Sequence, residues 1–235
     1  NLGKSGVVMP QAVRVARYAA HHFDPEVLVL VMTQSSLRAA LRNFGYRIHN
    51  AQYLYQDGEL RELPPSRYDP RNWLRWPHHS AFARYLYLNA GVVRGFGAIR
   101  QQARQRNDPL AEQRHAQERP LMVAAAQEVI ATLKAEHPRR QLLFVHDGDR
   151  RQMYETRAEP PPLRASRIWA DVCREQEVPF LDLTAAFWAD YREHRQPLDF
   201  PDDYHWNRRA MTIVAEEIAA WLQRHHALDA SPDRS

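Results

Sequence analysis

In Phe200-Pro-Asp-Asp-Tyr-His-Trp-Asn207, His205 follows Asp202 by three residues and Asp203 by two, and the segment runs directly into an amphipathic helical pattern. An imidazole so placed can take a proton from a nucleophile, provided that a carboxylate fixes its tautomer and stabilises the imidazolium that forms. Asp202 and Asp203 are both placed to be that carboxylate. The other histidines suit metal chemistry poorly. His21-His22, His78-His79 and His225-His226 put adjacent imidazoles on different sides of a helix, where they cannot share an ion. His146-Asp-Gly-Asp149 follows an apolar run and reads as a strand-end turn, since the further acidic ligands of a calcium loop are missing, although its position leaves a substrate contact open. Neither a metal nor a cofactor is expected.

The elements that must position His205 are legible from periodicity. Residues 10 to 22 carry Val13, Ala16 and Ala20 at helical spacing, and Asp24-Pro25 ends that helix. Val27-Leu-Val-Leu-Val-Met32 is a continuous apolar run of the kind found in a central parallel strand buried on both faces. Residues 119 to 136 form a helix with the stripe Met122, Ala126, Val129, Ile130 and Leu133, followed by the strand 141–145. A helix over 162–176, a short strand within 179–183 and a helix over 207–223, with Met211, Val214, Ile218, Trp221 and Leu222 on one face, complete the alternation. Such alternation predicts an α/β fold with a parallel central sheet covered by helices on both sides.

At 235 residues, without internal repeats or a low-complexity linker, the chain is expected to form one domain over 1–226, with a flexible tail over 227–235. Its 44% apolar residues can bury a sizeable core, and no apolar run approaches the about 18 residues of a membrane span. The net charge of +4 comes from arginines interleaved with glutamates and aspartates, which reads as a solvated surface and not as a nucleic-acid interface. Cys173, the single cysteine, excludes an internal disulfide and reads as a buried small hydrophobe.

Residues 44 to 77 differ from the rest in their tyrosines, tryptophans and prolines. Within them 53–60 reads as a hairpin turning at Asp57-Gly58. The stretch is expected to lie as an insertion over the carboxyl ends of the strands, where α/β sheets place their sites. Tyr53, Tyr55, Trp73 and Trp76 could there line a substrate groove, or pack the insertion onto the domain.

Taken in order, Asn1-Leu-Gly-Lys-Ser-Gly6, Val27-Leu-Val-Leu-Val-Met-Thr-Gln-Ser-Ser-Leu37 and Asp-Asp-Tyr-His-Trp-Asn207 resemble the second, third and fifth sequence blocks of the SGNH (GDSL-type) hydrolases. The resemblance covers nearly the whole chain in element order. It implies a flavodoxin-like three-layer α/β/α sandwich and acyl transfer from an ester through a serine nucleophile. Carried over by position, it makes His205 the general base, with its acid at Asp202 or Asp203. It makes Gly6 a backbone oxyanion donor, and the absence of a side chain there lets a substrate approach closely. Gln34 falls where the family usually has an asparagine, keeping the amide as a second donor with one methylene more. The family's first block, a strand ending in Gly-Asp-Ser with the nucleophile, would precede Asn1, and Ser5, Ser35, Ser36 and Ser80 replace it poorly. The expectation is a serine esterase or O-acyltransferase, truncated before its nucleophile, acting on a small-molecule or carbohydrate ester. A non-catalytic module of the same fold that holds a carbohydrate or a protein partner is the alternative.

Overall fold

The computed structural model describes residues 8–33, 35–44, 50–65, 111–201 and 205–226. Helix α1 (Met9–Phe23) begins with Pro10 in its first turn, where a missing N–H costs nothing, and buries Met9, Val13, Ala16 and Ala20. It stops at Asp24, whose backbone is left-handed (φ 42°), and Arg140 donates to both the Ala20 carbonyl and the Asp24 carboxylate. Strand β1 (Val27–Met32) and the short helix α2 (Ser36–Ala40) follow. A 3-10 turn over Arg42–Phe44 leads to the hairpin of β2 (Gln52–Gln56) and β3 (Glu59–Leu63). After α3 (Ala111–Glu136) come β4 (Gln141–His146), α4 (Arg150–Thr156), α5 (Arg164–Glu175), β5 (Phe180–Asp182), α6 (Thr184–His194) and α7 (Arg208–His226).

Among the described residues the main sheet is parallel in the order β1-β4-β5, as the alternation predicts, with β4 between the other two. Register runs Met32 to His146 between β1 and β4, and His146 to Asp182 between β4 and β5, so the three strands end level at one carboxyl edge. Side chains alternate across the sheet. Leu28, Leu30, Leu142 and Phe144 pack on one face against α1, α3 and α5, with Trp169 stacked on Phe144 at 5.2 Å between ring centroids. Leu143 and Val145 pack on the other against Phe187, Tyr191, Val214 and Trp221 of α6 and α7. The fold is therefore α/β with helices on both faces. Each large apolar side chain fully buried this way contributes about 1.5–3 kcal/mol relative to exposure.

Three expectations need correction. The run 27–32 is not buried on both faces: Val29 and Val31 are 38% and 44% exposed, although their register partners Leu143 and Val145 are fully buried. The described helices on that face cover β4 and β5 and stop short of β1, and an apolar run alone does not report how far a helical layer extends. Met211 is 51% exposed; Ala210, Val214 and Trp221 carry the buried face of α7 instead. Helix α3 begins at Ala111, upstream of the expected start at 119, so Pro120 lies inside the helix.

The hairpin turns where Asp57-Gly58 predicts it, with φ of 55° and 85°, a backbone that the glycine adopts without steric cost. Its position differs from expectation. It packs on α1 and α3, outside the helical layer, held by Arg14–Glu62 at 2.6 Å and by Gln52 donating to the Ala39 carbonyl, and its turn reaches Gln176, on the amino-end side of β5. Of the described helices, none is long and apolar enough to cross a membrane.

Candidate functional site

His205 lies on a short loop whose two limbs pair with each other. Asp199 and Trp206 form an antiparallel bridge, the Phe200 N–H donates to the His205 carbonyl at 3.1 Å, and the Asn207 N–H donates to the Leu198 carbonyl at 2.9 Å. Asn207 then starts α7: its side-chain oxygen accepts the Ala210 N–H at 3.1 Å, satisfying one of the orphan donors of the helix, while its amide nitrogen donates to the Pro197 and Asp199 carbonyls. His205 stands on the outer side of this neck and is exposed.

The neck is anchored to the carboxyl edge of the sheet. Asp147 follows the last residue of β4, and its N–H donates to the Met32 carbonyl, so the segments leaving β1 and β4 begin side by side. The Trp206 indole Nε1–H donates to the Asp147 carboxylate at 3.0 Å. Arg150, in the first turn of α4, pairs with Asp147 and reaches Asp199 at 2.6 Å, with only 8% of its side chain exposed. Its guanidinium lies over the Phe187 ring, which Trp206 meets edge-on at 6.1 Å. Tyr154 accepts the Leu198 N–H at 2.8 Å. Burial pushes the Asp147 carboxyl up to about 6, against the opposing pull of Arg150 and of the Trp206 hydrogen bond. Gly148 makes the turn possible, because a Cβ there would sit 2.7 Å from Thr184 Oγ1 and 2.8 Å from its Cα.

Beside this anchor lies a second polar group on the opposite face. His146 is fully buried, and burial lowers its imidazole to about 4, partly offset by Asp182. Asp182 accepts from Ser166 and from the Thr184 N–H at 2.8 Å. At the end of β1, Thr33 and Ser36 close a turn, with the Thr33 N–H donating to Ser36 Oγ at 2.7 Å.

No family model matches the chain. No curated protein matches it either. One solved crystal structure is similar over 44% of this chain, at 25% identity and a TM-score of 0.32. The chain spans about half of that structure's length, 52%. The chemistry must therefore be read from the chain's own residues.

Of the expected site residues, His205, Tyr53 and Tyr55 are described; Gly6, Gln34, Trp73, Trp76, Asp202 and Asp203 lie outside the described residues. Tyr53 is 4% exposed and packs the hairpin onto the core, where burial raises its phenol well above the ordinary range. Tyr55 borders an open groove of about 450 Å³ between the hairpin and α3, with Leu60, Gln127, Glu128 and Gln176. That groove is remote from the carboxyl edge that carries the His205 loop. Sequence reasoning passed over Arg150, Tyr154 and Asp199 as anchors. The one available signal was the strand-end Asp147-Gly-Asp149, because a glycine between carboxylates after an apolar run marks a turn at the edge where α/β sites form.

Proposed function

We propose that this chain belongs to a serine esterase or O-acyltransferase of SGNH type that acts on an O-acyl or O-acetyl ester. His205 serves as general base, Asp202 or Asp203 orients it, and Gly6 and Gln34 stabilise the oxyanion. A serine on a Gly-Asp-Ser strand ahead of Asn1 attacks the ester carbonyl while its proton passes to His205. Collapse of the tetrahedral intermediate releases the alcohol, which takes that proton. Water or an acceptor hydroxyl then attacks the acyl-serine, giving up its proton to His205, which returns it to the serine.

The observation that carries this reading is the tethering of the His205 loop to the carboxyl edge of a parallel sheet, beside the end of β1 that leads into Gln34. Ligands of open α/β sheets bind at that edge. The open Val29 and Val31 face of β1 also suits it, since a further strand and its cover would find an apolar surface there. Hydrolysis of aryl esters by protein carrying an added upstream Gly-Asp-Ser segment, abolished by His205→Ala, is the test.

The second reading, a binding module for carbohydrate or a protein partner, draws on Tyr55 and its groove, which lie away from His205. Oligosaccharide binding that Tyr55→Ala removes, in a protein inert toward esters even with the added segment, would favour it.

A further inference from the structure

We infer that Asp147, some sixty residues from His205 in sequence, is the positioning residue that sets where His205 stands. Two ties run from this one carboxylate to the two limbs of the loop neck. The first is direct, through the Trp206 indole N–H at 3.0 Å. The second passes through Arg150, which pairs with Asp147 and holds Asp199 at 2.6 Å. Asp199 and Trp206 face each other across the neck, and His205 is the next residue outward, its carbonyl bonded by the Phe200 N–H. Any movement of the Asp147 carboxylate therefore reaches both limbs one residue before the imidazole.

The surroundings make the tether stiff. Arg150 is buried against the Phe187 ring, and the three partners Arg150, Asp147 and Asp199 are all largely out of water, where charge-assisted hydrogen bonds are stronger than at a surface. A general base must be held within about 0.5 Å of its productive position, and a loop gains that precision only from such outside supports. Among the described residues, the charged and titratable groups facing Asp147 are Arg150 on α4 and Asp199 on the loop, and the Trp206 indole donates to it. Burial places the protonation of Asp147 near pH 6, so the tether weakens in acid: a protonated carboxyl keeps one acceptor for Trp206 but loses its ion pair with Arg150.

The inference rests on the role proposed for His205, but its test needs no ester turnover. In the full chain, the Trp206 Nε1–H cross-peak should shift with a midpoint near pH 6. That inflection should persist in His205→Gln and vanish in Asp147→Asn. Trp206→Phe keeps a ring against Phe187 while deleting the N–H, and in it the His205 Cε1–H signal should narrow and move toward its position in urea-unfolded protein. A Trp206 cross-peak with no inflection near pH 6, or a His205 signal unmoved in Trp206→Phe, would overturn the inference. With the upstream segment added, an active enzyme whose kcat is untouched by Trp206→Phe would also overturn it, leaving the esterase reading intact. Inert protein that shows the NMR coupling would sustain the tether and overturn the esterase reading alone.

Discussion

His146 and Asp182 stand opposite each other at the ends of β4 and β5, yet Asp182 accepts from Ser166 and Thr184, and neither ring nitrogen of His146 has a hydrogen-bond partner among the described residues. A buried neutral imidazole of this kind ties stability to pH. Its folded value near 4 lies below the ordinary 6.5, so between those values the unfolded chain binds a proton that the folded one refuses. The His146 contribution is present above pH 6.5 and is lost as pH falls toward 4. His137, lowered by burial and by Arg140, acts in the same direction. Asp147 acts in the opposite sense, since a carboxyl raised from 3.8 to about 6 favours the folded state in acid and loses that advantage as pH rises through the window. Each group alone gives a slope of at most about 1.4 kcal/mol per pH unit. Relative to the parent chain, urea unfolding between pH 4 and 6 should therefore show a slope of stability against pH that is more positive in Asp147→Asn and less positive in His146→Met. Identical slopes in both variants would contradict the assignment.

Removing the cation between two buried carboxylates should be costly. Arg150→Leu leaves Asp147 and Asp199 facing each other without the cation they share, and a broken buried pair typically costs about 3–5 kcal/mol. Chemical denaturation at pH 7 reads the loss directly. A destabilisation below about 1 kcal/mol would place the pair in solvent, among surface ion pairs of little worth.

Gly148 offers a steric check on the same corner. A methyl group there meets the Thr184 backbone at 2.8 Å, which a side-chain rotation cannot relieve. Gly148→Ala should cost about 1–3 kcal/mol, typical of an overpacked site. An unchanged unfolding midpoint would mean that β4 and α6 do not approach as closely as described.

The open face of β1 predicts an asymmetry between strands. Val31→Lys should change the stability of this chain by no more than about 0.5 kcal/mol, because its side chain is already 44% exposed. Leu143→Ala, in the fully buried row beside it, should cost about 2–5 kcal/mol. If the proposed upstream strand and its cover pack against β1, Val31→Lys becomes destabilising in the longer protein. Equal tolerance in both forms would argue that nothing docks there.

Periodicity made the long elements legible, since α1, α3, α5 and α7 each bury a stripe, β1 is an unbroken apolar run and β4 is apolar over 142–145. The short helices α2, α4 and α6 carried no such pattern. Seven residues of α4 hold one buried apolar residue, Met153, and a buried arginine that reads in sequence as surface. The exposure of Val29 and Val31 was invisible because it depends on where other helices stop. The His205 loop announced itself by its two aspartates, but its anchor did not. The contacts of Trp206 with Asp147 and of Asp199 with Arg150 span 59 and 49 residues, and local spacing carries no trace of them.

The central claim, that His205 is the base of an ester-cleaving triad, is tested most directly by hydrolysis of a small aryl ester by protein carrying an upstream Gly-Asp-Ser segment. The account predicts activity that His205→Ala abolishes, with one of Asp202→Asn and Asp203→Asn lowering kcat by on the order of 10⁴ and the other having little effect. Turnover that survives His205→Ala, or equal and small effects of the two aspartate variants in an active enzyme, would contradict it.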